Sequence, residues 1–456
     1  MTKYFFAIVS FFIALTLYSC KDDITGQSNT NLPPNTNLSI YPDSIIAPGS
    51  TIKTIHWWGD DPDGFIKGYM VSFDAQNWEF TTGNDSTFIL HINGDDSTFT
   101  FFVAAVDDKG LVDPTPASNL YPVINSAPSV QFDGGTEIPD TTYPVATFKW
   151  TGTDPDGNEN IRYYQWSLND TNNFRRISGT MNILTLTQDS GLVLNSNNVL
   201  YLRAEDDAGA LSTITRMPDT TGHWYVRPVT AKILLIKDMP LGQFSVADSY
   251  FNTAFDTIDY NSLDIKSNNG ALIPKIVNPM FIETLKLFDI VVWSANQGTL
   301  TSDNANFELA QNSLPFYLLS GRKLFFTTGF PNSETQVQGS LINFAPIDSI
   351  TSCSIPFVSG GTNVINTEST YPVISATTGG LFLQRIRGIK SSDPTVIVYR
   401  LPLSTSCQTN MVVAIKDRQS NPRNIFMSMP VYYMNADVTA SKVFFNKILV
   451  EEFGYR

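Results

Sequence analysis

Two all-β sandwiches followed by an open α/β domain with a mainly parallel sheet are predicted by three observations. From residue 38 to residue 228 the chain runs in short segments rich in β-branched and aromatic residues, separated by turn signals, with period-two alternation and no helical period. Within that stretch one scheme of residues occurs twice. From residue 229 onward, continuous apolar runs such as Lys232-Ile233-Leu234-Leu235-Ile236 alternate with helical stretches, as strands buried on both faces of a parallel sheet do.

The chain has 456 residues, 12% aromatic and 16% charged, which is the composition of a folded protein of several domains. Its net charge of −14 is spread along the chain, which excludes nucleic acid as a partner and suits solubility at a cell surface. Residues 1 to 19 form an export signal: Lys3, an apolar run from Tyr4 to Leu17 too short to span a bilayer, then small or polar residues before a cysteine. Leu17-Tyr18-Ser19-Cys20 resembles the lipobox of bacterial lipoproteins, which implies that Cys20 becomes the lipid-bearing N-terminus. Lys21-Asp22-Asp23 resembles the acidic signal that sends Gram-negative lipoproteins to the outer face of the outer membrane. Acyl chains worth about 0.8 kcal/mol per buried CH₂ hold such a protein on the membrane without a transmembrane helix. With Cys20 lipidated, Cys353 and Cys407 remain as a pair in an oxidising compartment, and a disulfide is expected.

Residues 20 to 37 are a spacer of Gly, Ser, Asn, Thr and Pro. The first sandwich is expected over 38 to 125 and the second over 126 to 228. Trp58-Gly59-Asp60-Asp61-Pro62-Asp63-Gly64 followed by Gly68-Tyr69 is echoed by Trp150-Thr151-Gly152-Thr153-Asp154-Pro155-Asp156-Gly157 and Tyr163-Tyr164-Gln165-Trp166. Near each end, Val106-Asp107-Asp108-Lys109-Gly110 is matched by Glu205-Asp206-Asp207-Ala208-Gly209. These residues resemble fibronectin type III and related immunoglobulin-like domains of bacterial surface proteins.

The acidic turns fit two readings. Asp61, Asp63, Asp107 and Asp108, with Asp154, Asp156, Asp206 and Asp207, are oxygen clusters of the kind calcium accepts. They are also efficient turns, because Asp caps its own backbone and Gly supplies positive φ, and turn chemistry is the favoured reading. Trp58 and Trp150 are expected in the sandwich cores, which leaves Trp57 on the opposite, exposed face of its strand.

Over 229 to 456 the expected strands are 232 to 236, 289 to 293, 322 to 329 and 424 to 429, with helices at 249 to 255, 281 to 287, 304 to 320 and 441 to 453; residues 340 to 425 are less regular. Trp293-Ser294-Ala295-Asn296-Gln297-Gly298, Gly321-Arg322-Lys323 and the stretch from Ile425 to Tyr433 resemble the class I glutamine amidotransferase-like fold, in particular its ThuA-like relatives, with flavodoxin-like topology as the alternative. Such an enzyme needs a Cys-His-acid triad, yet the histidines are His56, His91 and His223, none within this domain. The domain is therefore expected to be non-catalytic, and the chain is expected to need no cofactor unless it is calcium at the sandwich turns. Ser294, Thr327 and Thr328 stand at strand ends where open α/β sheets place a ligand crevice. Asp238, Asp248, Asp289 and Glu334 are the acids through which an alternative, an extracellular carbohydrate-active enzyme, would work. The expected role is a lipid-anchored envelope protein that binds or scaffolds a glycan or surface protein.

Overall fold

The computed structural model describes residues 30–39, 52–90, 97–134, 138–266, 279–298, 305–330, 341–378, 383–402 and 410–456. Cys20 and the rest of the signal, His91, Glu334 and Cys407 lie outside them, and with Cys407 so does the expected disulfide to Cys353. Two units are distinguishable: the first sandwich with the loops 153–161 and 205–211, and the remainder of the second sandwich with the α/β domain. Among the described residues no helix is long and apolar enough to cross a membrane.

The first sandwich is built from β1 (Asn35–Leu38), β2 (Ile52–Asp60), β3 (Ile66–Ser72), β4 (Glu79–Thr81), β5 (Asp85–Ile89), β6 (Ser97–Asp107) and β7 (Ala117–Val123). One sheet has the order β1-β2-β5 and the other β4-β3-β6-β7, with antiparallel pairing throughout. Side chains alternate along β2, so Ile55 and Trp57 face inward to pack with Tyr69, Val71, Phe101 and Val103. This reverses the expected tryptophans: Trp57 is 1% exposed and Trp58 49%. Gly59 shows why, since it shares the inward face with Trp57, and a Cβ there would stand 3.0 Å from Ala105 Cβ and 3.2 Å from the Tyr69 ring. Aligned on Asp-Pro-Asp-Gly, Trp57 precedes Asp61 by the same four positions by which Trp150 precedes Asp154. The two buried indoles are equivalent.

The second sandwich comprises β8 (Ser129–Phe132), β9 (Thr141–Thr142), β10 (Val145–Thr153), β11 (Ile161–Leu168), β12 (Arg175–Ser178), β13 (Ile183–Thr187), β14 (Ser196–Asn198), β15 (Leu200–Asp206), β16 (Thr215–Met217) and β17 (Trp224–Val226). Its sheets β8-β10-β13 and β12-β11-β15-β16 repeat the strand order of the first, and β14-β17-β9 form a small additional sheet. Trp150 is fully buried edge-on to Tyr164, with ring centroids 5.4 Å apart, as Trp57 is to Tyr69 at 6.2 Å. Tyr143 and Arg227 join this sandwich to the α/β domain: the Tyr143 ring packs on Phe288 at 5.0 Å, its hydroxyl donates to the Ser262 carbonyl, and Arg227 donates to the same carbonyl from above the Tyr143 ring.

The α/β domain runs β18 (Ile233–Asp238), α1 (Phe244–Ala254), β19 (Asn261–Asp264), α2 (Pro279–Lys286), β20 (Ile290–Ala295), α3 (Phe307–Leu319), β21 (Lys323–Thr327), β22 (Ser349–Val358), β23 (Asn363–Asn366), β24 (Ile374–Ser375), β25 (Leu383–Lys390), β26 (Ile397–Leu401), β27 (Met411–Lys416), β28 (Asn424–Met427) and α4 (Val438–Phe445). Its nine-stranded sheet has the order β19-β18-β20-β21-β28-β27-β26-β23-β24. The first five strands are parallel and the rest antiparallel, so the sheet is mixed and not mainly parallel as expected. The antiparallel half comes from residues 363 to 416, where Met411-Val412-Val413-Ala414-Ile415 is an apolar run short enough to need no helix, while β22 and β25 pair in a sheet of their own. Ile233, Leu235, Val292 and Phe325 pack under α1 and α4, while Leu234, Ile236, Val291, Trp293 and Phe326 pack under α2 and α3. Burial on both faces is what makes these strands read as unbroken apolar runs.

Candidate functional site

The duplicated acids form two clusters of the same design. In the first, Asp61 Oδ1 accepts from the N–H of Asp63, and in the second Asp154 Oδ1 accepts from the N–H of Asp156, at 3.2 and 2.8 Å. Those are the turn bonds that Asp favours. Asp107 Oδ1 likewise caps the turn to Leu111 and Asp206 Oδ1 that to Ala210. Each cluster also receives the segment that precedes its sandwich. The Asn31 side chain donates to Asp107 and the Leu32 N–H to Asp63; the Asn125 side chain donates to Asp206 at 2.7 Å and the Ser126 N–H to Asp156 at 2.5 Å. Asn31 and Asn125 went unmarked in the sequence, although each is followed three residues later by proline, in Asn31-Leu32-Pro33-Pro34 and Asn125-Ser126-Ala127-Pro128.

The membership differs in one place. Asp108 closes over the first turn, with its Oδ1 standing 2.4 Å from where a Gly64 Cβ would be and Asp61 Oδ2 2.6 Å from it. Asp207, its sequence counterpart, is exposed and leaves the second cluster, where Glu159 instead acts on Asp154. Burial raises the Asp154 carboxyl above the ordinary Asp range, and the neighbouring charges of Asp156, Asp206 and Glu159 push it the same way, against the bond from the Asp156 N–H.

In the parallel half of the α/β sheet the order of strand addition reverses between β18 and β20, the switch point outside whose carboxyl ends a crevice is expected. Asp238 ends β18 there with no exposure. Its Oδ2 accepts from the Asn306 N–H at 2.7 Å and from the Trp293 indole at 3.2 Å, while Lys266 stands 3.7 Å from Oδ1. Burial pushes this carboxyl up to about 6 even though Lys266 opposes the shift. Ser294, Thr327 and Thr328 gather at the same strand ends, all fully buried. Thr327 Oγ1 donates to the Met429 carbonyl and accepts from the Val431 N–H, and Thr328 Oγ1 donates to the Gly329 carbonyl. Ser294 Oγ has no hydrogen-bond partner among the described residues.

Around them, the Asn296 amide donates to Gln243 and to the Tyr432 hydroxyl, and Gln297 ties Gly329 to the N–H of Ala305. These amides were not singled out from sequence, because nothing local separates a strand-end Asn-Gln from a turn. The other acids do not converge. Asp248 pairs with Lys237 at 2.7 Å, and Asp289 pairs with Arg322 at the opposite, amino end of β20.

A third feature is the outer face of the β1-β2-β5 sheet. Ile52, Thr54, His56 and Trp58 point outward along β2 and meet Ile89, Thr87 and Asp85 across to β5. The Thr54 and Thr87 hydroxyls bond at 2.8 Å, and His56 lies 3.3 Å from Asp85.

No protein-family model matches the chain, and no curated protein matches it. Among solved structures it is similar to the two-domain fibronectin type III segment of chicken tenascin, at 15% identity and a TM-score of 0.23, covering 41% of this chain and 97% of that one. It is also similar to the fibronectin(III)-like modules of Clostridium thermocellum CbhA, at 12% identity and TM-score 0.18 over 42% of this chain and 95% of that one. The PKD1 domain of Vibrio anguillarum Epp is matched at 16% identity and TM-score 0.16 over 21% and 98%. These are likenesses of sandwich fold.

Proposed function

We propose that the chain is a lipid-anchored protein of the outer membrane, held through Cys20 and facing outward, whose folded part binds its ligand without transforming it, and that the ligand is a glycan. The observation that carries the binding reading is the outer face of β1-β2-β5: Trp58, half exposed, beside the hydroxyl row of Thr54 and Thr87 and the His56–Asp85 pair. A sugar ring presents an apolar C–H face that stacks on an indole and hydroxyls at its rim that need partners of this kind. Trp58→Ala is expected to weaken binding to a glycan array at least tenfold, and a protein ligand in place of a glycan would leave the array dark while a surface-protein pull-down responds.

The inward commitment of Thr327 and Thr328, together with the lack of any histidine in residues 229 to 456, supports a non-catalytic α/β domain. Its β19-β18-β20-β21-β28 order supports descent from a flavodoxin-like or amidotransferase-like ancestor. One observation favours a second reading, an extracellular carbohydrate-active enzyme. Asp238 is a buried acid whose carboxyl stands near 6, at the sheet's switch point, as a general acid requires. Release of reducing ends from a polysaccharide panel by the wild type, lost in Asp238→Asn, would establish that reading.

A further inference from the structure

We infer that each sandwich binds one calcium ion in its acidic cluster, and that the ion clamps the chain segment leading into that sandwich. The turn reading accounts for one oxygen of the leading acid in each copy and leaves the other unused. Asp61 and Asp154 both spend Oδ1 on the N–H two residues on, while Oδ2 of each is buried with no hydrogen-bond partner among the described residues. Asp154 is only 7% exposed, and it lies within electrostatic reach of Asp156 and Asp206, which are each 1% exposed. A buried carboxylate oxygen without a donor is costly unless a cation satisfies it.

The first cluster repeats the arrangement with more free oxygens. Asp108 Oδ1 and Asn31 Oδ1 are also buried without partners, and Asp108 Oδ1 and Asp61 Oδ2 face each other across the space that the missing Gly64 side chain leaves. With Asp63 and Asp107 this gives a set of carboxylate and amide oxygens, the ligand type that calcium takes six to eight of. Among the described residues Lys109 pairs with it, 3.7 Å from Asp63 and half exposed. Among the described residues no three acidic groups already stand at metal-coordinating spacing. The inferred ion therefore has to draw further oxygens toward it from these positions to reach the number that calcium takes. The incoming segment contributes in both copies, through Asn31 and Leu32 to one cluster and Asn125 and Ser126 to the other.

The test is calorimetric titration of the full chain, purified in detergent, with calcium chloride after chelation, and magnesium as the competitor. Asn in place of Asp keeps the turn, because its Oδ1 still accepts the N–H two residues on, and removes the charge that a cation needs. Two saturable calcium sites are expected in the wild type, one each in Asp61→Asn and Asp154→Asn, and none in the double variant. Gly64→Ala, which puts a methyl against Asp61 and Asp108, is expected to remove the first site only. Absence of saturable binding in the wild type, or two sites retained in the single Asn variants, overturns the inference and leaves the clusters as turns. Calcium is also expected to raise the thermal midpoint of the wild type and not that of the double variant; an equal rise in both overturns it as well.

Discussion

Asp238 keeps a carboxyl in the interior at the end of β18, where Lys266 at 3.7 Å offsets only part of its burial, and that has a measurable consequence. Its folded-state value near 6 lies above the ordinary one, so between those values the folded chain holds a proton that the unfolded chain releases. Stability conferred by this group is therefore greatest below about pH 4 and falls as pH rises through 6, by an amount of order 3 kcal/mol at about 1.4 kcal/mol per pH unit. Asp238→Asn is expected to flatten that fall and to be the more stable protein at pH 7 by urea unfolding; a parallel pH profile in the two would contradict it. The tryptophans of β2 separate in the same way: Trp57→Ala is expected to cost about 3–5 kcal/mol and Trp58→Ala less than about 0.5 kcal/mol. Nothing in the dipeptide itself distinguishes Trp57 from Trp58, and hydrophobic alternation allows either register. The repeat does distinguish them, because only Trp57 stands two residues before a glycine that must let a tyrosine approach, as Trp150 does.

At the level of elements, that approach is a lock between neighbouring strands. A Cβ on Gly152 would lie 2.1 Å from the Tyr164 hydroxyl, and Tyr69 bonds the Gly59 backbone as Tyr164 bonds that of Gly152. Gly152→Ala is expected to cost about 1–3 kcal/mol, and adding Tyr164→Phe to recover part of that in a double-mutant cycle; strict additivity would contradict the lock. In the α/β domain the strand β27 carries Lys416, 1% exposed, 2.7 Å from Glu368 and 3.7 Å from Glu452. Lys416→Ala leaves Glu368 without the cation 2.7 Å from it, while Glu452 keeps Lys447 at 3.4 Å, and is expected to cost about 3–5 kcal/mol in chemical denaturation. The parallel strands were legible in the sequence because burial on both faces makes them uniformly apolar. The antiparallel strands β23, β24 and β26 were not, being two to five residues long and holding polar residues such as Asn363, Asn366 and Arg400 that interrupt any apolar run.

On the scale of the whole molecule, the proposed lipid anchor at Cys20 has a test of its own. Cys20→Ala is expected to abolish incorporation of labelled palmitate while secretion continues, and unchanged labelling would remove the anchor from the account. Duplication of the sandwich was legible because turn acids and core aromatics recur at fixed offsets, whereas the use of each cluster to capture the preceding segment was not, since Asn31 and Asn125 meet their acids only across 76 and 81 residues. Ser294, Thr327 and Thr328 lie fully buried at the ends of β20 and β21, and the Gln243, Asn296, Gln297 and Tyr432 network is one that no local pattern brings together. Binding without catalysis is tested most directly by incubating the purified chain and its Trp58→Ala variant with an immobilised glycan array and measuring both retained protein and released reducing ends. Retention by the wild type, at least tenfold weaker in the variant, with no release from either, is the predicted result. Equal retention by both proteins, or release of reducing ends by the wild type, would contradict it.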